Sequence, residues 1–245
     1  MKISDRNREI LNGQIEYYRA RSSEYDEWFL RQGRYDRGEE HRRLWTAELH
    51  KAQTALEKAQ PHGRILEIAC GTGLWTPVLA RAADELTAID SSSESIAINR
   101  EKTGDAKVKY ITADIFTWQH ECKYDFIFFG FWLSHVPQEL FDEFWCKIAS
   151  ILKPDGKVFF IDSLFETQST AIDHNIDHSG IAERILNDGS KYTIVKIFHE
   201  PSKLEKRIKT LGFSGSVHTT GRFFLWGEFG RKESIVARNP CDPGF

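Results

Sequence analysis

The stretch Ile65-Leu66-Glu67-Ile68-Ala69-Cys70-Gly71-Thr72-Gly73 decides the fold of this 245-residue chain. Ile65–Ala69 is the near-continuous apolar run of a strand buried on both faces, and a helix is predicted after it over Leu74–Ala83. Glycines between a strand and a helix let the backbone approach a bound group closely, because no side chain blocks it. The stretch therefore predicts a ligand-binding turn, with a tight turn that binds nothing as the alternative.

Alternation of strand and helix continues downstream of this turn. Apolar runs predict strands at Leu86–Ile89, Val108–Thr112, Phe126–Phe129, Val158–Ile161, Val217–Thr220 and Phe223–Phe229. Helical patterns lie at Ser93–Lys102, Gln138–Leu152 and Pro201–Leu211, and Ile181–Leu186 and Lys191–Phe198 flank the turn sequence Asn187-Asp188-Gly189 as a β-hairpin. This order predicts a doubly wound, mostly parallel α/β sheet.

Three segments make up the predicted organisation. Residues 1–60 carry helical apolar spacing and are predicted to form a helical N-terminal cap. Residues 61–238 form the α/β domain, with an inserted hairpin region at 163–199 that we expect to cover a second ligand. Residues 239–245 are expected to be a flexible tail.

Composition excludes several classes of protein. Lys and Arg total 33 against 36 Asp and Glu, a net charge of -3, so the basic field of a nucleic-acid-binding protein is missing. No apolar run approaches the ~20 residues of a membrane span, and residues 1–10 do not resemble a secretory signal. Four scattered cysteines fit a reducing cytoplasm and offer no metal framework. Seven Trp and 17 Phe suggest an aromatic-lined pocket.

Carboxylates after successive strands indicate the type of ligand. The third glycine of a dinucleotide fingerprint is missing, and Glu67 stands where a pyrophosphate would be repelled, which favours a cationic ligand. Asp90, after the second strand, can accept hydrogen bonds from ribose hydroxyls, or it can cap the next helix. Asp114, after the third strand, can reach an adenine amino group while Ile115 covers the ring, or it can be a turn residue.

These motifs together resemble the class I S-adenosylmethionine-dependent methyltransferases, over roughly residues 64–230. A narrower resemblance is to a bacterial group of small-molecule-type methyltransferases. It rests on four segments: Tyr17–Arg21, Tyr25-Asp26, Phe131–Pro137 and Leu186–Gly189. The resemblance implies a Rossmann-like sheet of seven strands with the last strand antiparallel, and S-adenosylmethionine as the cofactor, without a metal.

The resemblance also implies roles for single residues. Gly71 and Gly73 would lie against the amino-acid part of the cofactor, Asp90 on the ribose and Asp114 on the adenine, while Glu67 would orient the loop. The predicted cofactor-binding residues are Tyr25, Glu67, Ala69, Gly71, Gly73, Asp90, Ser91, Asp114, Ile115 and Phe131.

The segment after the fourth strand, Gly130–His135, governs acceptor chemistry. It lacks the motifs of base-amine, protein-arginine and catechol-type methyltransferases, and its aromatic character favours a small, flat or apolar acceptor. His135 is the candidate general base, because imidazole titrates near neutrality, although it can equally cap the following helix or pack beside Trp132. Trp28, Trp132, His135 and Phe165 are the predicted acceptor-binding residues.

Other interpretations stay open at this stage. A methyltransferase acting on protein or RNA, or a non-methylating S-adenosylmethionine binder, would carry the same cofactor motifs; a Rossmann oxidoreductase lacks its third glycine. The aromatic residues of the cap can form a core or a lid over the cofactor. His174 and His178 could share a helix face around a metal, but a polar turn explains them better. We expect a monomer or homodimer.

Overall fold

The computed structural model describes residues 5–104 and 106–232, and a seven-stranded sheet forms its centre. The strand order is β3-β2-β1-β4-β5-β9-β8; only β9 pairs antiparallel with both of its neighbours, β5 and β8. The strands are β1 Arg64–Ile68, β2 Glu85–Asp90, β3 Val108–Thr112, β4 Tyr124–Gly130, β5 Leu152–Ser163, β8 Phe213–Thr219 and β9 Phe224–Arg231. The order reverses between β1 and β4, which is where ligands bind in such sheets.

Helices cover both faces of this sheet. They are α4 Thr76–Ala82, α5 Ser93–Thr103, α6 Phe141–Ile151 and α7 Pro201–Thr210. Trp145 of α6 is fully buried and contacts Phe129, Phe160 and Phe213, so one face of the sheet rests on an aromatic core. The predicted sheet and its antiparallel end are confirmed.

The cap consists of α1 Asp5–Arg21, α2 Tyr25–Leu30 and α3 Glu39–Lys58. On α3, the buried side chains Trp45, Ala52 and Leu56 recur at helical spacing and face the sheet. Helix α1 instead lies against a separate two-stranded sheet of β6 Ile181–Ile185 and β7 Lys191–Val195, where Tyr17 packs with Ala182 and Ile194. The hairpin of β6 and β7 therefore packs against α1 and positions it.

The region after β5 contains the predicted hairpin and the two histidines discussed above. The hairpin lies where it was predicted, and residues 170–180 contain no helix, so His174 and His178 do not share a helix face, in line with the preferred interpretation as a polar turn. His174 accepts a hydrogen bond from the backbone of Ile185, whereas the ring of His178 stacks on Phe165. Within the described ranges, no group of three or more possible ligands could hold a metal ion. The predicted tail, 239–245, lies outside the described residues.

Among residues 5–104 and 106–232, no helix is both long enough and apolar enough to cross a membrane.

Candidate active site

A cavity opens at the carboxyl ends of β1, β2 and β4, beneath helix α1. The backbone of Ala69 and Gly71 forms one wall, and both residues have positive φ, 53° and 50°. A positive φ is strained for alanine, and such strain is typical of functional turns. Tyr18 and Tyr25 of the cap close the opposite side. This first cavity is where the glycine stretch meets the cap.

Asp90 occupies the end of β2 and lines this cavity. Its carboxylate accepts hydrogen bonds from the backbone N–H of Gly71 (2.9 Å) and of Ser92 (2.8 Å). Ser92, not Asp90, caps helix α5 through the Ser95 N–H. Burial raises the pKa of Asp90, and the backbone hydrogen bonds oppose that shift. A carboxylate has about four acceptor positions, so Asp90 can hold the loop and still accept from a ligand.

Asp114 lines the same cavity beside the apolar side chains of Ile89, Ile115 and Phe116. It also accepts the Phe116 N–H at 2.9 Å, so the turn role and a ligand role are compatible. Among the described lining residues there is no Lys or Arg. Two carboxylates, apolar surface for a flat ring and no basic side chain fit a nucleoside that carries no phosphate, as S-adenosylmethionine is.

Two of the predicted cofactor residues lie behind the cavity and do not line it. Glu67 is only 1% exposed, and burial raises its pKa to about 8. A hydrogen bond from Thr76 opposes this rise in pKa, whereas the charge of Asp90 adds to the rise. A carboxyl that is neutral at pH 7 does not attract a cation. Gly73 has a φ of +87°, and a Cβ there would meet Asn99 Oδ1 at 2.6 Å, so this glycine serves the packing of the loop on α5.

A second cavity adjoins the first. Tyr18, Tyr25, Phe131 and His135 line both cavities and so form the passage between them. Phe131 has a φ of 56°, again a strained value for a bulky residue at a functional position. The volume of the second cavity is about 60 Å³, which is room for a small molecule. A group transferred from one cavity to the other would pass these four residues.

Three cations line the second cavity. Arg21 and Arg184 are each 7% exposed, and no carboxylate of the described chain lies within ion-pair distance of either one. Arg21 lies against the rings of three tyrosines, and its Nη2 donates to the hydroxyl of Tyr35 at 3.2 Å. Arg184 donates to the carbonyl of Glu183 at 2.9 Å. Buried charges without a counter-ion are costly, so they indicate an anionic ligand.

Lys196 is the third cation. Its Nζ donates to Ser134 Oγ at 2.8 Å and lies 3.8 Å from the buried carboxylate of Asp162. Burial lowers the pKa of Lys196 to about 8, although the charge of Asp162 raises it. Three cations against one nearby carboxylate leave the second cavity with an excess of positive charge.

His135 stands at the passage and is 6% exposed. Its Nδ1 lies 2.7 Å from the carbonyl of Val195, and its Nε2 lies 2.8 Å from the hydroxyl of Tyr18. Burial, with the charge of Lys196, lowers the pKa of His135 well below its ordinary value. These partners assign a neutral ring that donates from Nδ1 and accepts from Tyr18 at Nε2. His135 could act as a base only after the Tyr18 hydroxyl moves away, so its predicted catalytic role remains a prediction.

The predicted acceptor residues are divided among three places. Trp28 lines the second cavity, fixed by a hydrogen bond from its Nε1 to the Ser169 carbonyl. Trp132 lines only the first cavity, and Phe165 lines a groove at the surface. The structure therefore does not bring the four predicted acceptor residues together in one cavity, and their contact with an acceptor stays a prediction.

Sequence reasoning missed the three cations. Arg21, Arg184 and Lys196 come from α1, β6 and the residue after β7, which are adjacent only in the folded chain. The one available signal was basic residues next to tyrosines in Tyr17–Arg21, and Arg184 and Lys196 within the hairpin region.

Comparisons with known proteins agree with this geometry. The sequence model of a family described as a methyltransferase domain matches residues 65–156. An uncharacterized methyltransferase of Staphylococcus carnosus is 36% identical over 107 residues, 43% of this chain and 50% of that protein. The chain thus spans about half the length of the curated relatives it matches.

Solved structures extend the similarity to nearly the whole chain. The DhpI–SAH complex is 33% identical, with a TM-score of 0.77, over 92% of this chain and 98% of that one. The DhpI–SAM–HEP complex is 32% identical, with a TM-score of 0.75, over 93% and 99%. The chain therefore belongs to the S-adenosylmethionine-dependent methyltransferases. The cofactor of that class, S-adenosylmethionine, has the chemical features for which the first cavity is built.

Proposed function

We propose that the protein transfers the methyl group of S-adenosylmethionine to a small organic anion and releases S-adenosylhomocysteine. The carbon–sulfur bond of the methyl group breaks as its bond to the acceptor forms, and the electron pair stays on the sulfur. One observation carries the choice of acceptor: Arg21, Arg184 and Lys196 line a cavity that joins the cofactor cavity. The apolar acceptor expected from Gly130–His135 would leave Arg21 and Arg184 buried without a counter-ion, since of the three only Lys196 lies near a carboxylate of the described chain, that of Asp162.

Charge and size narrow the acceptor further. Three cations beside the single carboxylate of Asp162 suit a head group with two negative charges better than a monoanion. A volume of about 60 Å³ corresponds to a few water molecules. Such a space suits a short acid better than the bulk of a protein or RNA chain. The structure of similar fold, DhpI, was solved as a complex with SAM and HEP together, which agrees with a second ligand beside the cofactor.

The cofactor would lie in the first cavity, with Asp90 toward the ribose and Asp114 toward the adenine. The sulfonium methyl would then point through the passage between Tyr18, Phe131 and His135. Holding two reactants in line is itself a large part of catalysis, and an anionic acceptor needs no base to become nucleophilic. Under this proposal, the neutral His135 fixes the Tyr18 side chain at the passage by accepting the hydrogen bond of its hydroxyl.

The test is turnover with three acceptors of similar size: ethyl phosphate, propionate and propionamide. We expect S-adenosylhomocysteine to form fastest with ethyl phosphate, more slowly with propionate, and not with the neutral amide. Arg184→Met should lower kcat/KM for ethyl phosphate at least tenfold, since a hydrogen bond to a charged group contributes about 1.5–3 kcal/mol. It should leave the affinity for S-adenosylhomocysteine unchanged.

The matched control is Arg100→Met, an exposed arginine on α5 that lies over the ring of Tyr110 and lines neither cavity. It should keep the activity of the unaltered protein. Equal turnover of the amide and the acids, or an Arg184→Met variant that retains full activity, would contradict an anionic acceptor. Absence of S-adenosylhomocysteine binding would contradict the cofactor assignment as well.

A further inference from the structure

The second cavity ends against one aromatic ring. In the described part of the chain, Phe198 is the one residue that lines both the second cavity and a groove at the surface. The surface groove runs between α6, α7 and the segment after β5, and its lining includes Phe141, Phe165, His178 and Lys203. Its volume is about 700 Å³, against about 60 Å³ for the second cavity. The Phe198 ring thus lies between a small space and a much larger one.

The ring is held by other side chains. Phe165 meets it edge to face with the ring centroids 5.2 Å apart, and His178 stacks on Phe165 at 4.1 Å. On the inner side, Nζ of Lys196 lies 5.2 Å from the centre of the Phe198 ring. Phe165 is 40% exposed, which is rare for a large apolar side chain in this structure. A partition built from half-exposed rings can be removed by substitution without opening the core.

The surface groove, like the second cavity, is lined by more basic than acidic side chains. The groove lining contains Lys203, Arg207 and Arg222 against the single carboxylate of Glu200. Arg207 and Arg222 are paired with Asp142 and Glu166, so the groove is only mildly basic. An acid whose head group lies at Arg21 and Arg184 would therefore meet no repulsion if its other end passed Phe198.

We propose that Phe198 determines the length of the acceptor. Its ring closes the outer end of the second cavity, so the enzyme takes short acids and excludes those whose chains would extend into the groove. Loss of the ring joins the two spaces and admits the longer chain. This inference rests on the proposed function, because it takes the second cavity as the acceptor site.

The experiment compares ethyl phosphate with hexyl phosphate, which share a head group and differ by four methylenes. The unaltered protein should prefer ethyl phosphate in kcat/KM. In Phe198→Ala the ratio of hexyl to ethyl phosphate should rise by about tenfold or more, as one methylene alone changes selectivity by that order in a tight pocket. Ile172→Ala is the matched control: Ile172 is 62% exposed on the same loop as Phe165, lines none of these spaces, and should leave the ratio unchanged.

The affinity for S-adenosylhomocysteine, measured on each variant, verifies that it is folded. A Phe198→Ala protein that binds S-adenosylhomocysteine and methylates ethyl phosphate with an unchanged ratio would overturn the inference and leave the proposed function intact. If the unaltered protein methylates neither phosphate nor propionate, the proposed function fails and this inference fails with it. A Phe198→Trp variant should lower activity on both phosphates and should not shift the ratio toward the longer one.

Discussion

Lys196 is the residue of the second cavity whose charge depends most on pH near neutrality. Arginines remain protonated throughout, and His135 is neutral because burial and the charge of Lys196 hold its pKa far below neutrality. Lys196 loses its proton as the pH rises through about 8. The positive charge of the second cavity therefore decreases over a range in which the protein can be assayed.

A pH profile of acceptor binding follows from this. The KM for ethyl phosphate should rise as the pH increases from 7 to 9.5, because the protonated form of Lys196 binds the dianion more tightly. The acceptor itself keeps its charge there, since the second pKa of a phosphate monoester is about 6. Lys196→Arg should flatten the profile, and Lys191→Arg, an exposed residue of β7, should not. A profile that is equally steep in all three proteins would show that another group titrates.

At the scale of elements, hydrogen bonds tie the cap, the loop after β5 and the hairpin together. Arg34 forms a bidentate ion pair with Asp173, and its Nη2 also lies 2.7 Å from Nε2 of His174. The N–H of Ile185, in β6, donates to the same nitrogen at 3.0 Å. Because Nε2 accepts from two donors, His174 is neutral in the folded protein, and a proton there would break both bonds. Burial, with Arg184 and Arg34 adding to it, lowers the pKa of His174 to about 4.

This histidine makes folding sensitive to acid. The unfolded chain takes up the proton near pH 6.5, whereas the folded protein resists it until about pH 4. The free energy of unfolding should therefore decrease as the pH falls from 6.5 to 4, with His174 responsible for on the order of 1–3 kcal/mol. In His174→Gln, whose amide oxygen can accept the same bonds, urea unfolding should lose that much less stability between pH 7 and 4. The exposed His50→Gln serves as control; the same decrease in both variants would contradict this role.

At the scale of the whole molecule, the net charge of -3 conceals a separation of charge. Carboxylates face the first cavity and cations face the second, with the passage between them. The cap borders both cavities, because Tyr18 and Tyr25 line each of them. Asp26 of α2 accepts a hydrogen bond from Thr72 Oγ1 at 2.6 Å and forms an ion pair with Lys102. The contacts of Asp26 hold the cap against the glycine turn, so a bound cofactor is covered by the N-terminal helices.

Cofactor affinity should consequently depend on a residue that does not line the cavity. Asp26→Ala should weaken S-adenosylhomocysteine binding by about tenfold, because the cap loses a charged hydrogen bond of about 1.5–3 kcal/mol that holds it closed. Calorimetric titration measures the affinity, and the melting temperature without ligand should change little. Glu16→Ala removes an exposed ion pair with Arg19 on α1 and should leave the affinity unaltered. Equal affinity in Asp26→Ala would mean that the cap does not close over the cofactor.

The sequence by itself determined the parts of this protein that are local. Strand, glycine turn and helix follow one another within Ile65–Ala83. Asp90 ends β2 and Asp114 lies two residues after β3, so strand order alone brings them to one edge. Parallel strands place their carboxyl ends together whatever the rest of the chain does.

Only the tertiary structure decided the second cavity, which we propose as the acceptor site. Arg21, Arg184 and Lys196 lie on segments more than 150 residues apart at the extremes, and nothing in their sequence neighbourhoods indicates that they meet. Trp132 lines the first cavity and Phe165 lines the surface groove, although both come close in sequence to residues of the second cavity. Glu67 became neutral because the surrounding sheet buries it. Burial, side-chain direction and pairing of charge are properties of the assembled core, and no short stretch of sequence contains them.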